Sequence, residues 1–294
     1  MPERIDPRGQ DNPSQYAVED RSNDAEMIRL MIQDNLLTTG MGGPLAEQPD
    51  PASLHRVLDI GCGPGGWILE AARLYPQMNL VGIDISWRMI EYARAQAQAR
   101  KLTDGVEFLM MDALHPLKFL DASFDLVNLR LGTSFLLVKD WPRLLSELLR
   151  VTCPGGIVRV TDNARAWESS SSHFNRINQM FLCALYRSGR HVSEQTGMGY
   201  ELPKLLSESG YQQVQTKDST LELVAGTVGG QNFQQNMLFV FQTWRPFIQQ
   251  TGCAADDYDA VCERALLDMQ QPDFRVTWPL LTAWGTKPSD APAN

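Results

Sequence analysis

Short apolar runs alternate along the chain with segments whose apolar positions recur every three or four residues. The runs at 55–60, 80–85, 106–111, 124–130 and 157–161 read as strands. Between them lie helical patterns. One spans 65–75 and stops at Pro76. A second is capped by Ser86 and reaches Ala99, with Trp87, Ile90 and Ala93 on one side. A third follows Asp140 and carries Trp141, Leu144, Leu145 and Leu148, before the turn Pro154-Gly155-Gly156. Short strands alternating with helices predict an α/β fold whose parallel sheet is covered on both faces.

The flanks differ. Residues 1–15 and 287–294 read as polar tails. A helix at 24–38 opens with Asn23 as cap and Glu26 three positions on, a capping-box spacing, and ends at Gly40. Residues 42–51 form a linker with three prolines. After Asp162 the alternation breaks. A serine-rich stretch (169–172) precedes helices at 174–186 and 201–209, a strand at 213–223, helices at 232–249 and 256–269, and a last strand at 274–282. The expected organisation is a tail and helix (1–50) contributing to a cap, then one domain (51–294) with helical cap segments at 163–200 and 232–270.

The densest chemistry is Val57-Leu58-Asp59-Ile60-Gly61-Cys62-Gly63-Pro64-Gly65-Gly66. It reads as a buried strand, an acid near its end, and a glycine turn opening a helix. Gly61, Gly63 and Gly66 also satisfy GxGxxG, a dinucleotide fingerprint. Asp59, however, would face a ligand beside that turn and repel a pyrophosphate, so a cationic ligand suits the turn better. Asp84, followed by Ile85, ends the second strand about 20 residues on, where an acid can accept ribose hydroxyls. Asp112 ends the third strand ahead of Ala113, where it can accept from an exocyclic amine. Asn128 and Leu129 end the fourth.

Three acids at three successive strand ends, an FD-type strand and a PGG turn resemble the class I S-adenosylmethionine-dependent methyltransferases. The likeness covers about 54–162 well and the remainder loosely. It implies a Rossmann-like seven-stranded sheet of order 3-2-1-4-5-7-6 with the last strand antiparallel, residues 274–282 supplying that strand. It also implies S-adenosylmethionine as cofactor. Gly61, Cys62 and Gly63 would cradle the methionine part, with Asp59 near its ammonium. Asp84 with Ile85 would hold the ribose, Asp112 and Ala113 the adenine, and Asn128 with Leu129 the methionine moiety. An NPPY-like tetrapeptide is absent; Asn128-Leu129-Arg130-Leu131 stands in its place. Together with the extra helices, this resembles the small-molecule branch, of ubiquinone/menaquinone type or natural-product tailoring enzymes.

Composition agrees. With 26 basic against 35 acidic side chains and a net charge of -9, broad phosphate-backbone contact is disfavoured. Five scattered cysteines without a CxxC pair argue against a disulfide framework or a zinc site and suit a reducing cytoplasm. No apolar stretch reaches the length of a membrane span. The expected partner is a small, largely apolar metabolite; the oligomeric state is open. No residue stands out as a general base. His115 sits near the expected site beside Pro116; His55, His173 and His191 show no metal-ligand spacing. Tyr16, Arg130 and Phe174 are candidates for substrate contact. Phe174, Met180, Phe181 and Tyr186 read equally as pocket lining or as the buried stripe of a helix, as do Met237, Phe239, Phe241, Trp244 and Phe247. Competing readings are a protein or RNA methyltransferase, a non-enzymatic cofactor-binding scaffold, and a dinucleotide-dependent reductase.

Overall fold

The computed structural model describes residues 24–289. Its elements in chain order are α1 (Asp24–Gly40), β1 (Arg56–Ile60), α2 (Gly66–Leu74), β2 (Asn79–Asp84), α3 (Trp87–Ala99), β3 (Val106–Met110), β4 (Phe124–Arg130), α4 (Trp141–Val151), β5 (Thr152–Asn163), β6 (Glu168–Ser169), α5 (Ser172–Arg187), α6 (Leu202–Glu208), β7 (Gln212–Asp218), β8 (Leu221–Val224), α7 (Val228–Gln250), α8 (Tyr258–Asp268), β9 (Arg275–Trp278) and β10 (Leu280–Thr286). Seven strands form one sheet in the order β3-β2-β1-β4-β5-β10-β7. β10 runs antiparallel to both neighbours, and the pairs from β3 through to β5 are parallel. This is the expected 3-2-1-4-5-7-6 arrangement.

Alternation along the strands sends side chains to two cores. Leu58, Ile60, Val127, Leu129, Val158 and Val160 pack with α4 and α6. Val57, Leu80 and Leu126 pack with α2 and α3, a face that Leu45 and Leu54 of the linker help to cover. Trp67 ties α2 to that linker by donating its indole N–H to the Pro44 carbonyl (3.0 Å). At the start of the sheet, the Asp125 carboxylate accepts the backbone N–H groups of His55 and Arg56 (both 2.8 Å), so it pins β1 to β4. Ser86 caps α3 by accepting from Met89 N–H. Asp140 instead accepts from Leu137 N–H, tightening the turn ahead of α4.

A third core lies beyond the sheet. It joins Leu36 and Leu37 of α1 with α5, α7, α8 and the small sheet β6-β9-β8. Two expected strands divide here. The run at 213–223 breaks into β7 and β8, which belong to different sheets, because Ser219 and Thr220 turn the chain between them. The run at 274–282 divides at Pro279, which has no N–H to give a ladder. β9 stays in the small sheet, and the antiparallel strand of the large sheet is β10, which contains Ala283-Trp284-Gly285. Trp87, expected on the packed side of α3, is 52% exposed. Cys183 and Cys253 form a disulfide across 70 residues, a single bridge where the scattered spacing argues against a disulfide framework. Their pairing follows from the end of α7 lying against α5, a tertiary contact that sequence spacing does not encode.

Gly65 joins the turn to α2 with φ +82°, and a Cβ there would meet Ala93 and the Phe108 ring at 2.8 Å. Left-handed backbone and overpacking would act together. Gly65→Ala is expected to lower stability by roughly 2–4 kcal/mol, read as a reduced urea midpoint; an unchanged midpoint would contradict this packing.

Candidate active site

A cavity of about 680 Å³ opens at the carboxyl ends of the strands, where the order turns from β1 to β4. Ligands of open α/β sheets bind at such a reversal. Asp59, Asp84 and Asp112 all reach its wall, with Gly61, Cys62, Gly63, Ile85 and Ala113 between them. The strand-end acids are thus brought together.

Each acid is held differently. Asp84 accepts from Gly63 N–H through one oxygen (3.0 Å) and from Ser86 N–H through the other (2.8 Å), which ties the glycine turn to the next strand's end. Asp112 accepts from Leu114 N–H (2.8 Å) and meets His115 Nδ1 (2.8 Å). Those bonds leave the Asp112 carboxylate with further accepting capacity. His115 is tied to that carboxylate with 61% of its side chain exposed, which makes it a neighbour of Asp112 at the outer rim.

Asp59 is nearly sealed. Its Oδ1 accepts from Asn128 Nδ2 (2.7 Å), Asn128 Oδ1 accepts from Arg159 Nη1 (2.6 Å), and Arg159 Nε donates to Glu47 Oε1 (2.6 Å). Sheet register creates this chain: Asp59 lies opposite Asn128 on β4, and Asn128 opposite Arg159 on β5. Burial pushes the Asp59 carboxyl up to about 7, opposed by the Arg130 charge and the Asn128 bond and aided by Asp34. Burial would also raise the Glu47 carboxyl, but the Arg159 charge and hydrogen bond bring it below the ordinary value. Burial holds Asp162, under the backbone N–H of Thr133, at about 6.

Several expected contacts are corrected. Leu129 is sealed in the core against α4, because its parity sends it to the opposite sheet face from Asp59. Asn128 is fully buried and acts on the cavity only through Asp59. Arg130 lines the cavity but is engaged by the Asp34 carboxylate and Thr38 Oγ1, so it docks α1. Phe174 is 1% exposed and packs among Trp167, Phe233, Phe241 and Phe274, inside the third core and off the cavity wall. Tyr16 lies outside the described residues.

Other residues form the far half of the cavity. Glu26, Arg29, Leu30, Gln33, Asp34 and Leu37, one face of α1, line it. Trp167, Phe181, Trp244 and Trp278 stand there as an aromatic wall. Helical spacing placed Phe181 and Trp244 among the candidates but could not separate them from core neighbours. The inward face of α1 carried no such signal, since charged positions read as solvated. Asp34 also crowds the start of α2: a Cβ on Gly66 would lie 1.8 Å from its Oδ2, so only glycine admits this approach.

Against this geometry, residues 57–156 match the family model described as a methyltransferase domain. Residues 57–156 therefore form a methyltransferase domain. Over 104 residues it is 38% identical to demethylmenaquinone methyltransferase of Deinococcus radiodurans, covering 35% of this chain and 41% of that protein. Methyltransferase GfsG of Streptomyces halstedii is 31% identical, covering 47% of this chain and 54% of the relative. The chain therefore spans about half the length of these curated relatives. The fold is shared with phosphoethanolamine N-methyltransferase 2 of Haemonchus contortus, solved with S-adenosyl-L-methionine (TM-score 0.55, 17% identity, 96% of this chain and 61% of that one). It is shared also with the YcgJ protein of Bacillus subtilis (TM-score 0.52, 19% identity, 85% and 99%). Among the described residues, no helix is long and apolar enough to cross a membrane.

The raised Asp59 carboxyl has a thermodynamic consequence. Its folded value of about 7 lies above an unfolded aspartate's, roughly 3.9, so its contribution to stability is complete below about pH 4 and is lost as pH rises through about 7. Asp162 acts the same way over a lower range, through about 6. Buried His191, pushed down to about 4, opposes both below about pH 6.5. Between pH 6.5 and 8 the Asp59 effect therefore dominates among these three. The melting temperature of the ligand-free protein is expected to fall across that window, and less so in Asp59→Asn. Equal slopes in the two proteins would contradict the assignment.

Proposed function

We propose that this chain binds S-adenosylmethionine in the acidic half of the cavity and transfers its methyl group to a small, largely apolar acceptor held in the aromatic half. The observation that carries the reading is the convergence of Asp59, Asp84 and Asp112 on one cavity beside the glycine turn. A positively charged nucleoside meets the Asp84 and Asp112 carboxylates there, and Asp59 once it has lost its proton, whereas a pyrophosphate would be repelled by them. The donor set also fits by position: Asp84 for the ribose hydroxyls, Asp112 and Ala113 for the adenine, and Gly61 and Gly63 with Asp59 for the methionine end.

When bound, the sulfonium supplies a methyl group that is already activated for displacement. The protein's residues supply position and dryness. Arg130, held by Asp34 and Thr38, fastens α1 beside the glycine turn. The aromatic wall limits how the acceptor can lie. Holding two reactants in line removes roughly 7–11 kcal/mol of barrier, so a site without a dedicated base is sufficient for an acceptor that is nucleophilic as it binds. The two carboxylates on the α1 face, Glu26 and Asp34, are both engaged by arginines. The name of the Deinococcus relative, a demethylmenaquinone methyltransferase, agrees with a small apolar acceptor. So does the net charge of -9, which speaks against RNA.

Titration calorimetry is expected to show binding of S-adenosylhomocysteine and no heat with NADH. Asp84→Asn is expected to weaken that binding about ten- to a hundredfold, the loss of charge-assisted bonds. Affinity for S-adenosylmethionine is expected to tighten from pH 6 to pH 8 as Asp59 loses its proton, with a flatter profile in Asp59→Asn. No binding at high micromolar ligand, or binding of NADH instead, would overturn the reading.

A further inference from the structure

The half of the cavity facing α1 has a polarity of its own. Glu26 and Arg29 are 1% and 5% exposed and form a two-pronged pair, Nε to Oε2 at 2.7 Å and Nη2 to Oε1 at 2.8 Å. Arg130 is matched with Asp34. Each of these arginines therefore already faces a carboxylate. A charged acceptor would bring into this half a charge with no partner of its own, at high cost in a poorly solvated space.

The neutral polar groups are oriented too. Arg29 Nη1 donates to Gln33 Oε1 (2.7 Å). A guanidinium can only donate, so the Gln33 amide must turn its oxygen to Arg29 and its NH₂ away. On the opposite side, Asn163 Oδ1 accepts the indole N–H of Trp278 (2.7 Å) and, at 3.3 Å, that of Trp167. Indole is likewise donor-only, so Asn163 is fixed in the same sense. Both residues line the cavity, and among the described residues neither NH₂ group meets an acceptor within hydrogen-bonding distance. The polar surface offered by these two amides is thus a pair of donors, and the indole donors beside them are already used. Phe181 and Trp244, stacked parallel at 3.5 Å, add a flat apolar boundary.

We propose that the acceptor is an uncharged, planar molecule bearing hydrogen-bond-accepting oxygens such as carbonyl, ether or phenolic groups, and that Gln33 and Asn163 read those oxygens. The inference rests on the methyltransferase reading for the word acceptor, but its ligand chemistry can be tested apart from it. Equilibrium dialysis would compare four probes sharing one ring system: 2-acetylnaphthalene, 2-ethylnaphthalene, 2-naphthoate and 2-naphthylmethylammonium. The ketone is expected to bind roughly three- to tenfold tighter than the ethyl compound, the yield of one neutral hydrogen bond, and both charged probes are expected to bind more weakly than the ketone. Gln33→Met, nearly equal in shape, is expected to reduce the preference for the ketone. Gln33→Glu is expected to reduce it as well and to raise affinity for the ammonium probe. Affinity for S-adenosylhomocysteine is expected to stay within twofold of wild type in both variants.

A charged probe binding as tightly as the ketone, or a ketone preference intact in both variants, would overturn the proposal. So would a drop in S-adenosylhomocysteine affinity with no change in probe ranking, which would assign Gln33 to the cofactor. If the wild-type protein binds no S-adenosylhomocysteine, the methyl-transfer reading fails, and the probe ranking still decides the chemistry of this half of the cavity.

Discussion

The site depends on a buried line of side chains that crosses the sheet. Asp59, Asn128 and Arg159 stand side by side on β1, β4 and β5 because parallel register makes them neighbours, and Glu47 closes the line from the linker. The Arg159 and Glu47 side chains are 1% and 3% exposed. An isolated charge at such depth would cost several kcal/mol, and removing one member of a buried pair typically costs 3–5 kcal/mol. The line is stable only when complete. It fixes the rotamer of the acid nearest the glycine turn, and it secures the linker that follows α1. One interaction therefore positions both the ligand-facing acid and the segment on which the covering helix hangs.

The cavity divides by electrostatic character. Its strand-end half brings together Asp59, Asp84 and Asp112; Asp112 bonds a backbone N–H and His115, Asp84 takes two backbone N–H groups among its bonds, and Asp59 lies under the Asn128 amide and the Arg130 charge. Its cap half carries the Glu26–Arg29 pair and four large aromatic side chains, and the Arg130–Asp34 pair stands between the two, close to Asp59. A cation and a neutral apolar molecule would sort between these halves without further selection. The sorting has a structural origin. Strand ends in a parallel sheet present loops and backbone N–H groups, whereas the helices beyond the sheet meet through a largely aromatic and aliphatic core.

The sheet and its acids were legible because their signals are local. A strand, a turn and the acid at the strand's end lie within ten residues, and the order of elements fixes the topology once the alternation is seen. The cap was legible only as helices. Phe174 and Phe181 lie on the same helix, seven residues apart, yet one is core and the other cavity wall; which is which depends on how α7 and the small sheet meet that helix. The strand at 274–282 was placed one element early because hydrophobicity runs on across Pro279, while hydrogen bonding does not. The Cys183–Cys253 bond and the Asn128–Arg159–Glu47 line were invisible for the same reason: they join residues that only tertiary register brings together.

α1 shows why the inner face of a helix need not be apolar to be specific. Glu26, Arg29, Gln33 and Asp34 point inward with Leu30 and Leu37. Apolar residues of similar volume would pack there at no desolvation cost, and such replacements are often neutral or stabilising. They would also leave a featureless surface. The present residues spend their hydrogen bonds on one another so that Asp34 holds Arg130 at the glycine turn while Arg29 fixes the amide of Gln33 at the aromatic end. Consecutive residues of α1 thus serve both contacts, Asp34 toward Arg130 and Gln33 toward the cavity. α1 is thereby a wall common to the strand-end acids and the aromatic side chains, so ligands held by either would be placed relative to one element.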